Sequence, residues 1–330
     1  MARPNLFEYA TSELSQDAVL CWLAAWAAPG AAAEDGHLHV LGLKFIAALM
    51  EVSGRPMLDI CSLEIRRQYK SIDVLIIINS RLAICIEDKV GSTEHSEQLE
   101  RYVEGLKADG FPPKDIVPVY VQTFEQSTYA AVKAAGYAPV SRKRLLAILE
   151  PYAKTPGADA IARDFHDRLA QVDREVESFR YQPPSQWTWL AWQGFYGELQ
   201  AKFLDGEWGY VANQAGGFQG FWWHFQEGSG CKQYLQLEEA AVCFKIQVDR
   251  PESRAELRDR WHARLIEQGR KRDLNVVKPR RFGLGETMTV AVLETDYRVT
   301  DQKGLLDFGA TVARLREAEV VLDEAAASVA

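Results

Sequence analysis

The sequence predicts an α/β fold in its first half, a mixed sheet flanked by helices, and an α+β domain on an antiparallel sheet in its second half. Segments with helical and strand periodicity follow one another in the order α, β, β, β, α, β, α, which is typical of a mixed sheet covered by helices. Seven of the nine tryptophans lie beyond residue 186, where the composition changes. The proline-containing stretch 181–185 (YQPPS) is the best linker candidate, so we expect domains at 1–180 and 186–330.

Each element of the first half follows from its local pattern. Apolar residues at helical spacing predict the helices, with Ser15 as the N-cap of the first and Asp17 in its first turn. Short β-branched runs predict the strands. The expected elements are helices at 8–28 and 37–52, strands at 58–69, 72–78 and 82–89, a helix at 96–108, a strand at 116–123, and helices at 128–135, 142–151 and 159–178.

The second half has strand-like segments joined by short Gly-rich or acidic turns. The expected elements are strands at 209–215, 218–226, 232–239 and 241–249, a helix at 251–270, a strand near 287–294 and a terminal helix at 304–324.

Composition places the chain among globular proteins, with 47% hydrophobic and 25% charged residues. No apolar run approaches the roughly 20 residues that span a bilayer, and the N-terminus does not lead into a signal-peptide pattern. The five cysteines are odd in number and lack CxxC spacing, which argues for reduced thiols and against a structural zinc site. We therefore expect a cytoplasmic protein with no membrane partner.

The formal net charge of −8 does not suggest a protein that coats nucleic acid, although net charge says little about a local surface. Residues 254–281 contain ten Lys or Arg against four Asp or Glu. Such a run is either a solvated helix face or a surface for nucleic acid, and both interpretations stay open.

The segments Ile72–Ile78 and Leu82–Lys89 are separated by the turn-like tripeptide Asn-Ser-Arg. If that tripeptide is a hairpin loop, the last residue of the first strand pairs with the first residue of the second. Counting outward then sets Asp73 opposite Glu87, with Cβ atoms about 5 Å apart.

Side chains alternate along a strand, so Glu87 and Lys89 share the face of Asp73 while Asp88 points away. The hairpin therefore predicts two carboxylates and one ammonium on a single sheet surface. A shift of one residue in the pairing would place Asp73 on the opposite face.

Two carboxylates and an ammonium on one surface suit phosphodiester hydrolysis. The reaction requires stabilisation of the charge on the transition state, a nucleophilic hydroxide, and stabilisation of the departing alkoxide. Hard divalent cations bound by carboxylate oxygens supply all three. Asp73 and Glu87 are the candidate ligands of Mg²⁺ or Mn²⁺. Lys89 would orient the attacking water or neutralise transition-state charge. Because a nearby dication destabilises an ammonium, a lowered pKa and a proton-transfer role for Lys89 also stay open.

Asp73 and the tripeptide at 87–89 (EDK) resemble the signature of the PD-(D/E)xK nuclease superfamily, with isoleucine where the superfamily name has proline. The segment 98–102 (QLERY) is similar to the Gln-x-x-x-Tyr helix motif of the lambda-exonuclease and RecB-like branch. Glu13 is similar in placement to a glutamate on the first core helix of that branch. The resemblance covers about residues 8–125.

The resemblance implies a restriction-endonuclease-like αβββαβ core and divalent-metal-dependent cleavage of nucleic acid, DNA more than RNA, in defence, repair or recombination. It also implies the carbonyl of Asp88 as a metal ligand, and a role for the 98–102 motif in holding the substrate backbone or ordering the site. We expect the second half to serve substrate recognition or regulation, and to bind either a second copy of the chain (a homodimer) or a partner protein. The predicted catalytic residues are Glu13, Asp73, Glu87, Lys89, Gln98 and Tyr102, with Glu13, Asp73 and Glu87 at the metal.

Simpler interpretations of these residues stay open. A buried salt bridge to Lys89 would satisfy Asp73 without a metal, Glu13 could be an acid that favours a helix N-terminus, and His95 is either a solvated loop residue or a substrate contact. The alternative function is a catalytically silent nuclease-fold protein that binds or senses nucleic acid. A structural interaction protein is a third.

An aromatic run in the second half has two interpretations. Strand alternation places Phe221, Trp223 and Phe225 on one face, with Trp222 and His224 on the other. Burial of one face in a sheet core is favoured over a platform for stacking bases.

Overall fold

The computed structural model describes residues 3–91, 96–213 and 216–327. Contacts between Cα atoms divide the chain into two compact units, Met1–Arg174 and Glu175–Ala330. The predicted domain bounds of 1–180 and 186–330 stay a prediction. His95 and the end of the strand expected at 209–215 lie outside the described residues.

The first unit interleaves helices and strands as the α/β prediction requires. Its elements are α1 (Glu13–Ala25), α2 (Gly36–Val52), β1 (Leu63–Tyr69), β2 (Ile72–Ile78), β3 (Leu82–Lys89), α3 (Ser96–Ala108), β4 (Ile116–Gln122), α4 (Ala130–Ala134), β5 (Ala138–Ser141), α5 (Arg142–Ala153) and α6 (Ala160–Val176).

Its five strands form one mixed sheet in the order β1-β2-β3-β4-β5. The first three strands are antiparallel neighbours, and β4 and β5 run parallel to β3. The β2–β3 hairpin has the predicted register, from Ile78 opposite Leu82 to Val74 opposite Ile86. Every residue of β3 is buried because helices cover both faces of the sheet.

Each face of this sheet belongs to a different core. Val74, Ile76, Ile84 and Ile86 pack with residues of α1, α2, α5 and α6. The alternating positions of the same strands, such as Leu75 and Cys85, pack with residues of α3 and α4. Asp73, Glu87 and Lys89 continue this second set, so strand alternation directs them to the α3 side of the sheet.

The predicted N-cap of the first helix is wrong. Ser12, not Ser15, is in the extended conformation that precedes a helix, and its hydroxyl accepts the N–H of Ser15 at 3.3 Å. The helix therefore begins at Glu13. Asp17 lies one turn further along, where its side chain is buried rather than exposed at the helix start.

The second unit confirms the predicted α+β class. Its elements are α7 (Trp189–Gln200), β6 (Glu207–Val211), β7 (Phe218–Gly228), β8 (Cys231–Glu238), β9 (Ala241–Gln247), α8 (Arg254–Lys271), β10 (Val276–Val277), β11 (Thr287–Leu293) and α9 (Phe308–Ala327). The strands form an antiparallel sheet in the order β10-β11-β9-β8-β7-β6.

The sequence patterns missed α7, whose segment WLAWQGFYGELQ is buried over much of its surface. A helix buried on most sides lacks the polar face that makes helical periodicity visible. Its start is well defined, since the hydroxyl of Thr188 accepts the N–H of Ala191 at 3.3 Å.

A β-bulge in β7 makes one alternation prediction wrong. Trp223 pairs with Leu235 and Gln226 with Gln233, so β7 has one residue more than β8 between these pairs. His224, at φ 58°, takes up the extra length. Phe221 and Trp223 are buried as predicted, but beyond the bulge the side chain of Phe225 is 53% exposed.

Among the helices of the described residues, none combines the length and apolar character that crossing a membrane requires.

A glycine at the contact between α1 and α2 provides a test of the packing that positions α1. A Cβ on Gly42 would lie 2.6 Å from Ala27 N and 2.9 Å from Leu23 O, both backbone atoms. We predict that Gly42→Ala lowers the free energy of unfolding by about 1–3 kcal/mol, because the two helices must separate. Chemical denaturation measures the change.

Gly105 of α3 is the matched control, because a Cβ there meets nothing within 4 Å. Gly105→Ala should raise the free energy of unfolding by about 0.5–1 kcal/mol through helix propensity alone. Equal effects of the two substitutions would contradict the close approach at Gly42.

Candidate active site

Asp73 lies one residue beyond the last paired position of the β2–β3 hairpin. Its Oδ2 accepts the backbone N–H of Asp88 at 2.9 Å, and its Oδ1 accepts a hydrogen bond from Gln68 Nε2 at 3.1 Å. The Asp73 carboxylate thus accepts the N–H of Asp88 in place of a backbone carbonyl where the β2–β3 ladder ends. This hydrogen bond holds the Asp73 side chain beside the end of β3.

Glu87 is fully buried on β3 and bonded on one side only. Its Oε1 accepts from Lys89 Nζ at 2.5 Å and from Gln98 Nε2 at 3.2 Å. Its Oε2 is buried and has no hydrogen-bond partner in the described part of the chain. Burial raises the pKa of Glu87 to about 7, the bond to Lys89 opposes this, and the charge of Asp73 adds to it.

Lys89 lies on the same face of β3 as Glu87, as strand alternation predicts. Its ammonium also donates to the carbonyl of Asp88 at 3.3 Å. Burial lowers the pKa of Lys89, but its bond to Glu87 and the charges of Glu87, Glu13 and Asp73 outweigh burial, so the pKa is raised. Lys89 is therefore a hydrogen-bond donor and a counter-charge to Glu87.

The helix motif of α3 faces this pair. Gln98 donates to the hydroxyl of Tyr102 one turn away and to Glu87, so one amide links helix to strand. Burial raises the pKa of the Tyr102 hydroxyl, which therefore keeps its proton. The two side chains are placed to order Glu87.

Glu13 approaches the site from the first turn of α1. Its Oε1 accepts the backbone N–H of Val90 at 3.3 Å, immediately after β3. Its charge raises the pKa of both Asp88 and Lys89. Glu13 is thus brought to the same strand end as the other predicted residues, and its role as a ligand stays a prediction.

Asp88 points to the opposite face, as predicted, where α1 covers it. Gln16 Nε2 donates to Asp88 Oδ1 at 2.6 Å, and Gln16 Oε1 accepts from the hydroxyl of Thr123 at 2.7 Å. The buried guanidinium of Arg142 donates to the carbonyl of Thr123 at 2.8 Å. A chain of buried hydrogen bonds therefore supports the end of β3 from behind.

Asp17 is a site-adjacent acid that the sequence patterns treated only as a helix-start residue. Gln68 Nε2 bridges Asp17 Oδ2 at 3.0 Å and Asp73 Oδ1 at 3.1 Å. Burial first, and then the charge of Asp73, raises the pKa of Asp17 to about 6. The sequence could have indicated Asp17 through its spacing from Glu13, because residues four positions apart lie on one face of a helix.

The pKa of Asp88 is also raised well above its ordinary value, chiefly by burial. Asp17 Oδ1 and Asp88 Oδ2 are both buried without a hydrogen-bond partner in the described residues, and the charge of Asp17 adds to the raised pKa of Asp88. Neutralising either carboxyl group would relieve this repulsion.

Gln68 lies opposite Asp73 in the unbroken β1–β2 register, between the pairs Arg67–Val74 and Tyr69–Ile72, and its φ is 53°. A left-handed conformation at a residue other than glycine costs roughly 1–2 kcal/mol. Backbone strain of this kind is typical of positions that aim a side chain at a functional site.

Gln122 of β4 is a second residue that the sequence patterns did not single out. It pairs with Lys89 in the parallel β3–β4 register, so both side chains leave the sheet on the same face. Gln122 is buried, and its Oε1 has no hydrogen-bond partner within the described ranges. The pairing could be anticipated only from the alignment of two strands far apart in sequence.

The donor chemistry of the site fits a hard divalent cation. Asp73 and Glu87 offer carboxyl oxygens, Oε2 of Glu87 has no hydrogen-bond partner in the described residues, and the carbonyl of Asp88 is adjacent. The described residues include no group of three or more His, Cys, Asp or Glu side chains arranged to hold a metal. Mg²⁺ is commonly bound by one or two carboxylates and several waters, so two such ligands suffice.

Comparison with known proteins agrees with this geometry. The family model of the PD-(D/E)XK nuclease superfamily matches residues 37–181, which include β1 to β5 and α3. The resemblance predicted from the sequence is confirmed at the level of the superfamily, and the match supports a nuclease-type function. It extends beyond residue 125 but does not include Glu13. Searches among curated proteins and among solved structures each give no match.

The raised pKa of Asp17 predicts a pH-dependent effect of its neutralisation. The unfolded carboxyl titrates near pH 3.8 and the folded one near pH 6, so charged Asp17 destabilises the fold above pH 6 and this loss disappears as pH falls toward 4. Asp17→Asn should therefore raise the free energy of unfolding by about 1–3 kcal/mol at pH 8 and by little at pH 4. Urea denaturation in EDTA at both pH values measures this.

The control is Asp59→Asn at a solvent-exposed position of the same unit, which should change stability little at either pH. A stabilisation by Asp17→Asn that is the same at pH 8 and pH 4 would count against the assigned pKa.

Proposed function

We propose that this protein is a divalent-metal-dependent nuclease that hydrolyses phosphodiester bonds, with DNA as the preferred substrate over RNA. The observation that carries the proposal is the shared face of Asp73, Glu87 and Lys89 at the end of the β2–β3 hairpin, where Oε2 of Glu87 has no hydrogen-bond partner among the described residues. The superfamily match over residues 37–181 supports the reaction class. A place in defence, repair or recombination belongs to the same proposal.

In this proposal Asp73 and Glu87 hold Mg²⁺ or Mn²⁺, with the carbonyl of Asp88 and, at its edge, Glu13. The bound cation would supply charge stabilisation and a more acidic water. Lys89 and Gln98 both bond Oε1 of Glu87, which fixes the rotamer of Glu87 and leaves Oε2 as the donor atom. Lys89, protonated and held in place, orients the attacking water and offsets charge on the phosphoryl oxygens.

The second candidate is a nuclease-fold protein that binds or senses nucleic acid without turnover. The hydrogen bond from Lys89 to the Asp88 carbonyl favours it, because the ammonium occupies an oxygen that the proposed metal would use. Isothermal titration calorimetry with Mn²⁺ separates the two candidates. A nuclease should release heat on Mn²⁺ binding, and Glu87→Gln should remove it, whereas a silent protein should bind nucleic acid equally well in EDTA.

We predict that the purified protein cleaves at least one of four substrates in Mg²⁺ or Mn²⁺ and none of them in EDTA. The substrates are supercoiled plasmid, linear duplex DNA, single-stranded DNA and RNA. Lys89→Ala, Glu87→Gln and Asp73→Asn should each lower the rate by roughly 10²–10³-fold or more, because each removes a group that acts on the reacting phosphate. Gln98→Ala should cost less, about 10-fold, since it only orders Glu87. Gel assays of initial rates measure these losses.

Glu104→Gln, an exposed acid on the same helix α3, is the matched control and should leave the rate unchanged. Nucleic acid that stays intact with every metal, or a Lys89→Ala variant as fast as the parent protein, would exclude the proposed reaction.

A further inference from the structure

The connection between β10 and β11 in the second unit is a basic loop. Residues 275–285 contain three Lys or Arg and no Asp or Glu. Lys278, Arg280 and Arg281 are all exposed, and within the described ranges none of them has an ion-pair partner. This loop therefore presents uncompensated positive charge.

A single aromatic ring attaches the loop to α8. The Arg258 guanidinium lies 4.2 Å and the Lys278 ammonium 4.4 Å from the centroid of Phe282, and the ring of His262 packs at 5.1 Å. Arg258 Nη1 also donates to the carbonyl of Phe282 at 3.1 Å. We call Arg258, Lys278, Arg280, Arg281 and Phe282 the basic loop surface.

Two cations on one ring repel each other, and little nearby charge offsets them. Arg258 bonds the exposed carboxylate of Asp259 at 2.9 Å. The closest acid along the loop, Glu286, accepts from Gln247 Nε2 at 3.2 Å. An anion placed against Arg258 and Lys278 would be favoured by both charges, and the ring already holds both side chains in position, so binding loses less conformational entropy.

Several other cations of the basic run are ion-paired. Arg260 pairs with Glu256, Lys271 with Glu267, and Arg272 with Glu324 and Glu317. Within the described ranges, the cations of α8 that form no ion pair are Arg254, Arg264 and Arg270. The cations that lack an ion-pair partner are available to a polyanion without breaking an existing pair, and the loop holds three of them.

We propose that the basic loop surface binds the phosphate backbone of nucleic acid, independently of base sequence. The charges of Lys278, Arg280 and Arg281 are exposed on long side chains, which suits phosphodiester oxygens rather than base edges. Phe282 has its ring covered by cations, so it organises the surface rather than stacking a base. The inference rests on the proposed function in taking the nuclease's own substrate as the ligand.

The test is equilibrium binding of a fluorescent DNA duplex to the full-length Lys89→Ala protein in EDTA, by anisotropy at a series of KCl concentrations. The triple change Lys278→Ala, Arg280→Ala and Arg281→Ala should weaken binding by roughly 10–10³-fold and reduce the slope of log K against log salt by about 2–3. Phe282→Leu keeps every charge, so it should weaken binding by about 2–10-fold and leave the slope unchanged.

A control triple, Lys107→Ala, Lys154→Ala and Lys271→Ala, removes the same number of charges at lysines that are each paired with a carboxylate on their own helix. The control triple should leave the affinity for the duplex unchanged. Equal affinities of the loop triple and the parent, or equal losses of affinity in both triples, would contradict the proposal that the basic loop surface binds the duplex. Salt-dependent binding to phosphatidylserine vesicles with unchanged duplex binding would assign the loop to a membrane instead, and would also overturn it.

These outcomes are independent of the cleavage assay. If the parent protein cuts no nucleic acid but the loop triple weakens duplex binding, the nuclease proposal is excluded and the proposed binding surface is supported. If the parent cuts DNA but the loop triple binds the duplex as tightly as the parent, the binding surface is excluded and the nuclease proposal is supported.

Discussion

The confinement of several carboxyl groups at the open end of the β2–β3 hairpin is the constraint on which the rest of the first unit depends. Asp17, Glu87 and Asp88 are buried with raised pKa values, and Asp73 lies among them. Burial of like charges is unfavourable unless protons, cations or donors offset it. The Lys89 ammonium, and the Gln68 amide that bridges Asp17 and Asp73, are two of the groups that offset it.

The sheet separates these acids into two groups with different solutions. On the face covered by α1, Asp88 is held by Gln16 in a chain of buried hydrogen bonds. On the face of α3, Oε1 of Glu87 is bonded, while Oε2 has no hydrogen-bond partner among the described residues. The alternation of side chains along β3 therefore places Asp88 in the support behind the strand and Glu87 where the proposed metal would bind.

The second unit shows how ion pairing decides which charges matter. Several cations of the basic run are matched by acids a turn away or on α9, so the density of basic residues in the sequence overstates their availability. Among the described residues, Lys278, Arg280 and Arg281 of the loop between β10 and β11 have no ion-pair partner. The ring of Phe282 orders Lys278 together with Arg258 of α8, which is itself paired with Asp259.

Local sequence determined the β2–β3 hairpin, its register, the shared face of Asp73, Glu87 and Lys89, and most element positions, because strand alternation and a short loop act within a few residues. Periodicity could not reveal α7, buried on most sides, nor Phe225 beyond the bulge in β7, where one extra residue reverses the alternation. Only the tertiary structure decided that Asp17, Gln68 and Gln122 join the site. Their positions depend on how α1, the edge strand β1 and the parallel strand β4 are arranged around the β2–β3 hairpin, and contacts between distant segments are set by packing rather than by local pattern.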